Sequence, residues 1–307
     1  MILLWGAPGD APLDSVRTEL DRRGADVFLL DQRLGARTSV RLEIACDGTV
    51  SGEIETPHGL LDLKAVRAVY IRPLETAKAS GIASLSDPAY VRAAAADVAM
   101  IDWANLTSAS VVNRPEAMTA NNSKPYQLSL ISAFAFEVPE TLITTDVDAV
   151  RRFCKRHKSV VYKSVSGVRS IVSRLSALSE AGLADVGNCP TQFQEYILGT
   201  DVRVHVIGES IFAIEIKSAA DDYRYASRGG NDLVMAPAVL PERVAESCRL
   251  MARNMNLLFA GIDLRRTADG CWYCFEVNPS PGFTFFEAMT GQPLAASVAD
   301  LLLRLNA

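Results

Sequence analysis

Residues 261–282 read GIDLRRTADGCWYCFEVNPSPG, and this stretch sets two acids and an amide where chemistry, rather than folding, has use for them. It reads as two short strands, over 260–267 and 271–277, joined at Asp269-Gly270, a dipeptide that suits the positive φ angles of a two-residue hairpin turn. With that turn Asp263 faces Glu276, and Asn278 shares the face of Glu276 because side chains alternate along a strand. Carboxylates directly opposite, about 4.5–5.5 Å apart at Cβ, repel unless something positive lies between them. A divalent cation meets that need, and oxygen-only ligands suit Mg²⁺, or Mn²⁺, completed by water and phosphate. The plainer alternative is an exposed hairpin whose acids pair with Arg265 and Arg266.

The chain around it has 307 residues, 49% of them hydrophobic and 22% charged, an ordinary globular composition with room for about two domains. A net charge of −5 and no run of Lys and Arg argue against a nucleic-acid partner. The apolar opening MILLW stops at Gly6, too short for a signal-peptide core, and no apolar run approaches the ~18 residues of a membrane span. The six scattered cysteines read as reduced thiols of a cytoplasmic protein. Cys271 and Cys274 form a CxxC, but their spacing on a strand points them to opposite faces.

Periodicity predicts a βαβ unit (strand 2–5, helix 11–23, strand 27–30), with GAPGD between its first two elements read as a tight turn rather than a phosphate loop. A hairpin around Asp47-Gly48, a strand at 68–71, a helix opened by Asp87-Pro88 and a strand at 111–113 follow, and Arg114-Pro115 marks the expected boundary. Beyond it come a helix over 124–134, a strand at 141–144 and a helix capped by Asp146. Strands are then expected at 160–163, 171–174, 191–197, 201–207 and 210–218. The helix 241–256, the opening hairpin and a last helix over 293–305 complete the chain.

A cation of this kind usually comes with phosphates, so the next question is where lysines meet them. Lys163 follows the apolar strand Val160-Val161-Tyr162 and precedes a small-residue loop, SVSGVRS, whose amides can close on an anion. Lys124 stands at a helix start, where the dipole favours anions and a lysine is otherwise out of place. Lys217, ending an apolar strand, is a candidate third charge or a snorkelling surface lysine. In FQEYILGTD a strand leaves the sheet and re-enters after Gly199, freeing backbone groups for an adenine edge, with Asp201 placed to accept from ribose hydroxyls.

Lysine at a helix start, lysine before a loop, hinge with acid, then Asp, Glu and Asn on a hairpin: this order resembles the ATP-grasp superfamily over residues 115–307. The resemblance implies an α/β (α+β) chain. Its ATP-grasp domain, 115–307, is expected to grip ATP between two subdomains, 115–197 and 198–307. A Rossmann-like α/β domain, 1–114, precedes it. It further implies that Lys124 and Lys163 hold ATP phosphates with Ser166, Gly167 and Arg169 of the loop, where one glycine stands in a normally glycine-rich segment and Arg169 and Ser170 replace amide donors. Gln194, Glu195, Tyr196 and Ile197 match the adenine hinge, Asp201 the ribose acid, and Asp263, Glu276 and Asn278 the Mg²⁺ ligands. EVNPSPGF resembles RimK-type amino-acid ligases. Arg72 in YIRP, NNSKPYQL, PETLITTD and the IEIKS/DDYR pair are closer to microviridin-type graspetide ligases, which cyclise peptides through side-chain esters or amides.

The expected activity is ATP-dependent ligation of a carboxylate, on a precursor peptide or an amino acid, through an acyl phosphate. Arg203, Lys217, Arg224 and Arg228 are the candidate oxyanion-stabilising cations. A homodimer is suggested by relatives that pair. The competing readings are a RimK-type ligase adding a free amino acid, a non-catalytic ATP-binding module, and a dinucleotide oxidoreductase on the first βαβ, against which the missing GxGxxG speaks.

Overall fold

The computed structural model describes residues 1–165, 172–175, 180–218 and 233–307. The βαβ unit forms as β1 (Ile2–Gly6), α1 (Ala11–Arg22) and β2 (Val27–Asp31). GAPGD is the turn between its first two elements, and Asp10 caps α1 by accepting from Leu13 N–H at 3.1 Å. A meander of β3 (Ser39–Ile44), β4 (Val50–Thr56) and β5 (Gly59–Asp62) follows, then β6 (Ala68–Arg72), α2 (Thr76–Ser80), α3 (Pro88–Leu106) and β7 (Ser110–Val112). The first sheet runs β2-β1-β6-β7, all parallel. Alternation along β1 and β6 makes two cores: Leu3, Trp5, Val69 and Ile71 pack on Met100 and Trp103 of α3, while Ile2, Leu4 and Tyr70 pack on α1.

Next come α4 (Pro115–Met118), α5 (Lys124–Ile131), β8 (Thr141–Thr144), α6 (Val147–Arg156), β9 (Val160–Ser164), β10 (Ser173–Arg174), α7 (Glu180–Ala184) and β11 (Thr191–Glu195). These strands form an antiparallel sheet ordered β10-β9-β11-β8. Val150 and Phe153 of α6 bury one face against Val160 and Phe193. The opposite face carries Lys163, Gln192 and Gln194, since Lys163 pairs with Gln192 and the two glutamines lie two apart on β11.

The remainder is β12 (Thr200–Ile207), β13 (Ser210–Ser218), β14 (Leu233–Ala238), α8 (Glu242–Asn254), β15 (Phe259–Arg266), β16 (Trp272–Asn278), α9 (Thr284–Thr290) and α10 (Leu294–Asn306). The five-stranded antiparallel sheet has the order β14-β13-β12-β15-β16, so β12 lies against β15. One face, with Val202, Val204, Val206, Ile262 and Leu264, packs on Cys248 and Met251 of α8. On the other, Ile207, Ile214, Ile216 and Phe259 join α10 and the α1 face of the first sheet in one continuous core. The expected boundary at residue 114 is therefore crossed by shared core. No helix among the described residues is long and apolar enough to cross a membrane. All six cysteines are free, and burial pushes the Cys274 thiol well above its ordinary range while Cys271 lies exposed.

Candidate active site

The β15–β16 pair puts Asp263 opposite Glu276 and Gly261 opposite Asn278, the facing expected from sequence, although by another route. The tip is not a two-residue turn. Thr267 N–H donates to the Cys271 carbonyl at 3.0 Å and Gly270 N–H to the Thr267 carbonyl at 3.1 Å, closing a three-residue loop of Ala268, Asp269 and Gly270. Gly270, at φ +87°, takes the left-handed position that such a loop assigns to glycine. That shifts the register by one residue. A bulge then shifts it back, since Leu264 pairs with Cys274 but Asp263 with Glu276, leaving Phe275 as the extra residue.

Among the described residues two cations hold these acids, and neither is Arg265 or Arg266. Arg203 pairs in register with Asp263, and its Nη1 donates to Asp263 Oδ1 at 2.8 Å. The Arg203 side chain is buried, 5% exposed as a residue, with its guanidinium carbon 5.5 Å from the Phe286 ring centre. Its Nε lies 3.4 Å from Nε2 of His205, which is fully buried. Burial, and next the Arg203 charge, hold the His205 pKa well below 6.5, so the imidazole is neutral and accepts that bond. Gly261 makes room for the guanidinium: a Cβ there would lie 2.1 Å from Arg203 Nη2. Lys124, at the start of α5, brings Nζ to 3.6 Å from Glu276 Oε2. Its helix is pinned by the buried Gln127, whose Nε2 donates to the Val277 carbonyl at 2.7 Å and whose Oε1 accepts from Val277 N–H at 3.0 Å.

Arg265 and Arg266 have other partners. Arg265 Nε donates to Asp201 Oδ1 at 2.7 Å and its Nη1 to the Ile197 carbonyl at 2.8 Å, tying the hinge to the candidate ribose acid. Arg266 pairs with Glu215 on the other face of the sheet. At the hinge, Glu195 N–H donates to Glu140 O at 3.0 Å, but Glu140 N–H donates back to the Glu195 side chain, Oε1, at 2.8 Å. The reciprocal backbone bond is thus replaced, and the ladder ends there. Tyr196 N–H donates to Ser159 O at 2.9 Å, and the Tyr196 ring stacks under Arg174, 4.1 Å from the guanidinium carbon. Gln194 is buried and donates to Thr141 Oγ1 at 2.9 Å. Gln192, 1% exposed, has neither amide atom hydrogen-bonded among the described residues.

A cavity of about 240 Å³ is lined by Arg203, Asp263, Glu276, Asn278, Gly282, Phe285 and Phe286. The structure therefore gathers Arg203, the three candidate metal ligands and Lys124, whereas Lys163 stands on the polar face of the β9–β11 sheet. It separates Lys217: Ile216 pairs with Asp201, so Lys217 projects from the opposite face, 72% exposed and 3.4 Å from Glu215. Ser166, Gly167, Arg169, Arg224 and Arg228 lie outside the described residues. Among the described residues no group of three or more His, Cys, Asp or Glu is arranged to hold a metal ion. The donor set is two carboxylates and one amide oxygen, hard ligands that fit Mg²⁺ and leave much of its shell to water and phosphate. Sequence reading missed Gly261, His205, Gln127, Phe285 and Phe286.

A family model for the RimK-like ATP-grasp domain matches residues 121–302. A probable alpha-L-glutamate ligase of Chromohalobacter salexigens is 28% identical over 209 residues, which are 64% of this chain and 68% of that one. Among solved structures, the ATP-grasp ligase PsnB complexed with minimal precursor, Mg and ADP is 26% identical, with a TM-score of 0.78 over 99% of this chain and 98% of that one. The macrocyclase MdnC from Microcystis aeruginosa MRC, bound with precursor peptide MdnA, shares the fold, with 20% identity and a TM-score of 0.81 over 99% of this chain and all of that one.

Proposed function

The chain belongs to the RimK-like ATP-grasp family and is an ATP-grasp ligase, and from that premise we propose that it activates a peptide carboxylate with ATP and joins it to a hydroxyl or amine of the same peptide. The observation that carries the reading is the Asp263–Glu276 pair, register-matched, backed by Arg203 and Lys124, and facing one cavity together with Asn278. Asp263, Glu276 and Asn278 would hold a divalent cation, which would supply positive charge to the transferring phosphoryl group. Lys124 and Lys163 hold phosphate oxygens. The base rests against the hinge at 194–197, and Asp201, oriented by Arg265, receives the ribose.

In this reading the substrate carboxylate attacks the γ-phosphorus, and ADP leaves as an acyl phosphate forms. The hydroxyl or amine then attacks the acyl carbon, and inorganic phosphate departs. Arg203 is buried, already oriented by Asp263 and His205, and lines the cavity, so it is placed to stabilise the oxyanion of that second step with little reorganisation. Phe285 and Phe286 form an apolar wall that keeps water from the acyl group.

A peptide substrate is supported by the likeness to PsnB, solved with its precursor, over nearly the whole chain. A second reading, addition of a free amino acid, is favoured by the resemblance to the glutamate ligase. Mass spectrometry after incubation with Mg·ATP separates them. Peptides rich in Thr, Ser, Lys, Asp and Glu should lose one water per bond formed, whereas amino-acid addition gives a mass gain. ADP release with neither product across a broad panel would count against both.

A further inference from the structure

The three residues after Asn278 are gripped from the N-terminal part of the chain. Asn113 Nδ2 donates to the Pro279 carbonyl at 2.5 Å, Arg72 Nη1 to Ser280 Oγ at 3.1 Å, and the same nitrogen to the Pro281 carbonyl at 3.3 Å. Arg72 is itself clamped by Asp10, with Nε on Oδ2 and Nη2 on Oδ1 at 3.2 Å. Ser280 in turn reaches back to the candidate ligand, its backbone N–H donating to Asn278 Oδ1 at 2.9 Å. An unbroken line of hydrogen bonds therefore runs from Asp10 through Arg72 and Ser280 to the Asn278 amide.

That last bond decides which end of the amide is which. A primary amide presents an oxygen or an NH₂, and only the oxygen can ligate a cation. With Oδ1 accepting from Ser280 N–H, the amide is fixed against a flip, and the second lone pair of Oδ1 stays open to a metal. Ser280 can do this only if its own backbone is fixed, and the side chains that fix it come from β6 and the residue after β7. Asp10, Arg72 and Asn113 all precede residue 121, where the match to the family model begins.

We infer that Arg72, clamped by Asp10, is a positioning residue for the metal site. By holding Ser280 it orients Asn278 Oδ1 towards the cation, so that the N-terminal part of the chain sets the affinity for Mg²⁺. This rests on the ligand assignment proposed above. Side chains that orient metal ligands typically change metal affinity by about 10–100-fold when removed.

The test is calorimetric titration of ADP into the full chain with and without Mg²⁺, on the wild type, Arg72→Lys, Ser280→Ala and, as the ligand control, Asp263→Asn. Ser280→Ala removes one hydroxyl and keeps the backbone donor, so it remains informative where Arg72→Lys fails to fold. In the wild type Mg²⁺ should tighten ADP binding. In Arg72→Lys and Ser280→Ala that gain should shrink by about 10-fold or more while the metal-free affinity stays unchanged. A merely structural role would lower the melting temperature and leave the gain intact, which overturns the inference, as does an equal loss of affinity with and without Mg²⁺. If Asp263→Asn abolishes the gain but the other two keep it, the metal assignment stands and the inference alone fails. If the wild type shows no gain, or Asp263→Asn keeps it, the assignment falls and takes the inference with it.

Discussion

Replacing Gly261 by alanine adds one methyl group, and the geometry says what it meets. The new Cβ would lie 2.1 Å from Arg203 Nη2, 2.7 Å from Cζ and 2.7 Å from Pro281 Cβ. Ordinary carbon contacts begin near ~3.5 Å, so the guanidinium must retreat by about 1.4 Å. It cannot do so freely, because Asp263 holds Nη1 at 2.8 Å and the fully buried His205 lies 3.4 Å from Nε. Overpacking of this kind costs about 1–3 kcal/mol, offset by the roughly 0.5–1 kcal/mol that alanine recovers over glycine inside a strand. The fold should survive with a loss of ~0–2.5 kcal/mol from these two terms. Activity should suffer far more, since a displacement of about 1 Å at a catalytic group costs on the order of 10²-fold. The assay is coupled ADP release with a peptide that the wild type modifies, run beside urea unfolding. Gly187→Ala, at a position with no atom within 4 Å of the new Cβ, serves as the neutral control. Wild-type turnover in Gly261→Ala would refute the argument that Arg203 works from this fixed position.

Asp263→Asn and Glu276→Gln should each lower ADP formation by at least 10²-fold with circular dichroism unchanged; near-normal rates in both would remove the metal assignment. Lys217→Ala should leave kcat and KM unaltered and change stability by less than about 1 kcal/mol, because its ion pair is exposed on the opposite face of the sheet; a large loss of kcat would contradict that placement. His205 gives a pH signature. Its folded pKa is depressed, so its neutral form contributes stability above the unfolded value near ~6.5, and this is lost as pH falls from there towards the folded pKa. Between pH 6.5 and 5, wild-type stability measured by urea unfolding should therefore fall by up to ~1.4 kcal/mol per pH unit more steeply than that of His205→Phe; parallel slopes would mean that His205 charges freely in the fold.

Much of the fold was legible because its signals are local. The βαβ unit, the Asp-capped helices and most strands follow from periodicity and from residues that can cap or turn. Of the elements that escaped, two have clear physical reasons: β14 contains Pro237, which is admissible because the strand lies at a sheet edge, and α9 is the aromatic run TFFEAMT, which carries no helical stripe. The Asp263–Glu276 facing was foreseen, although two irregularities of one residue each, invisible in a count along the strand, had to cancel. Arg203 stood among the expected oxyanion-stabilising cations, but its pairing with Asp263 was not legible, since nothing local places β12 beside β15 across the intervening β13, β14 and α8. Lys217 was a different failure. The tight turn between β12 and β13 pairs Ile207 with Ser210, so parity alone sets Lys217 against the face of Asp201, a deduction the sequence allowed.

The core shared by α10, α1, the first sheet and the strands beneath the cavity bears on how such chains can be recombined. Transplanting residues 115–307 onto another ligase's front end would cut through Leu13, Val16 and Leu20 on one side and Val298, Leu301 and Leu302 on the other, each buried against this common interior. A chimera that swaps substrate preference therefore has to exchange surface loops, or carry α1 and α10 across as a matched pair.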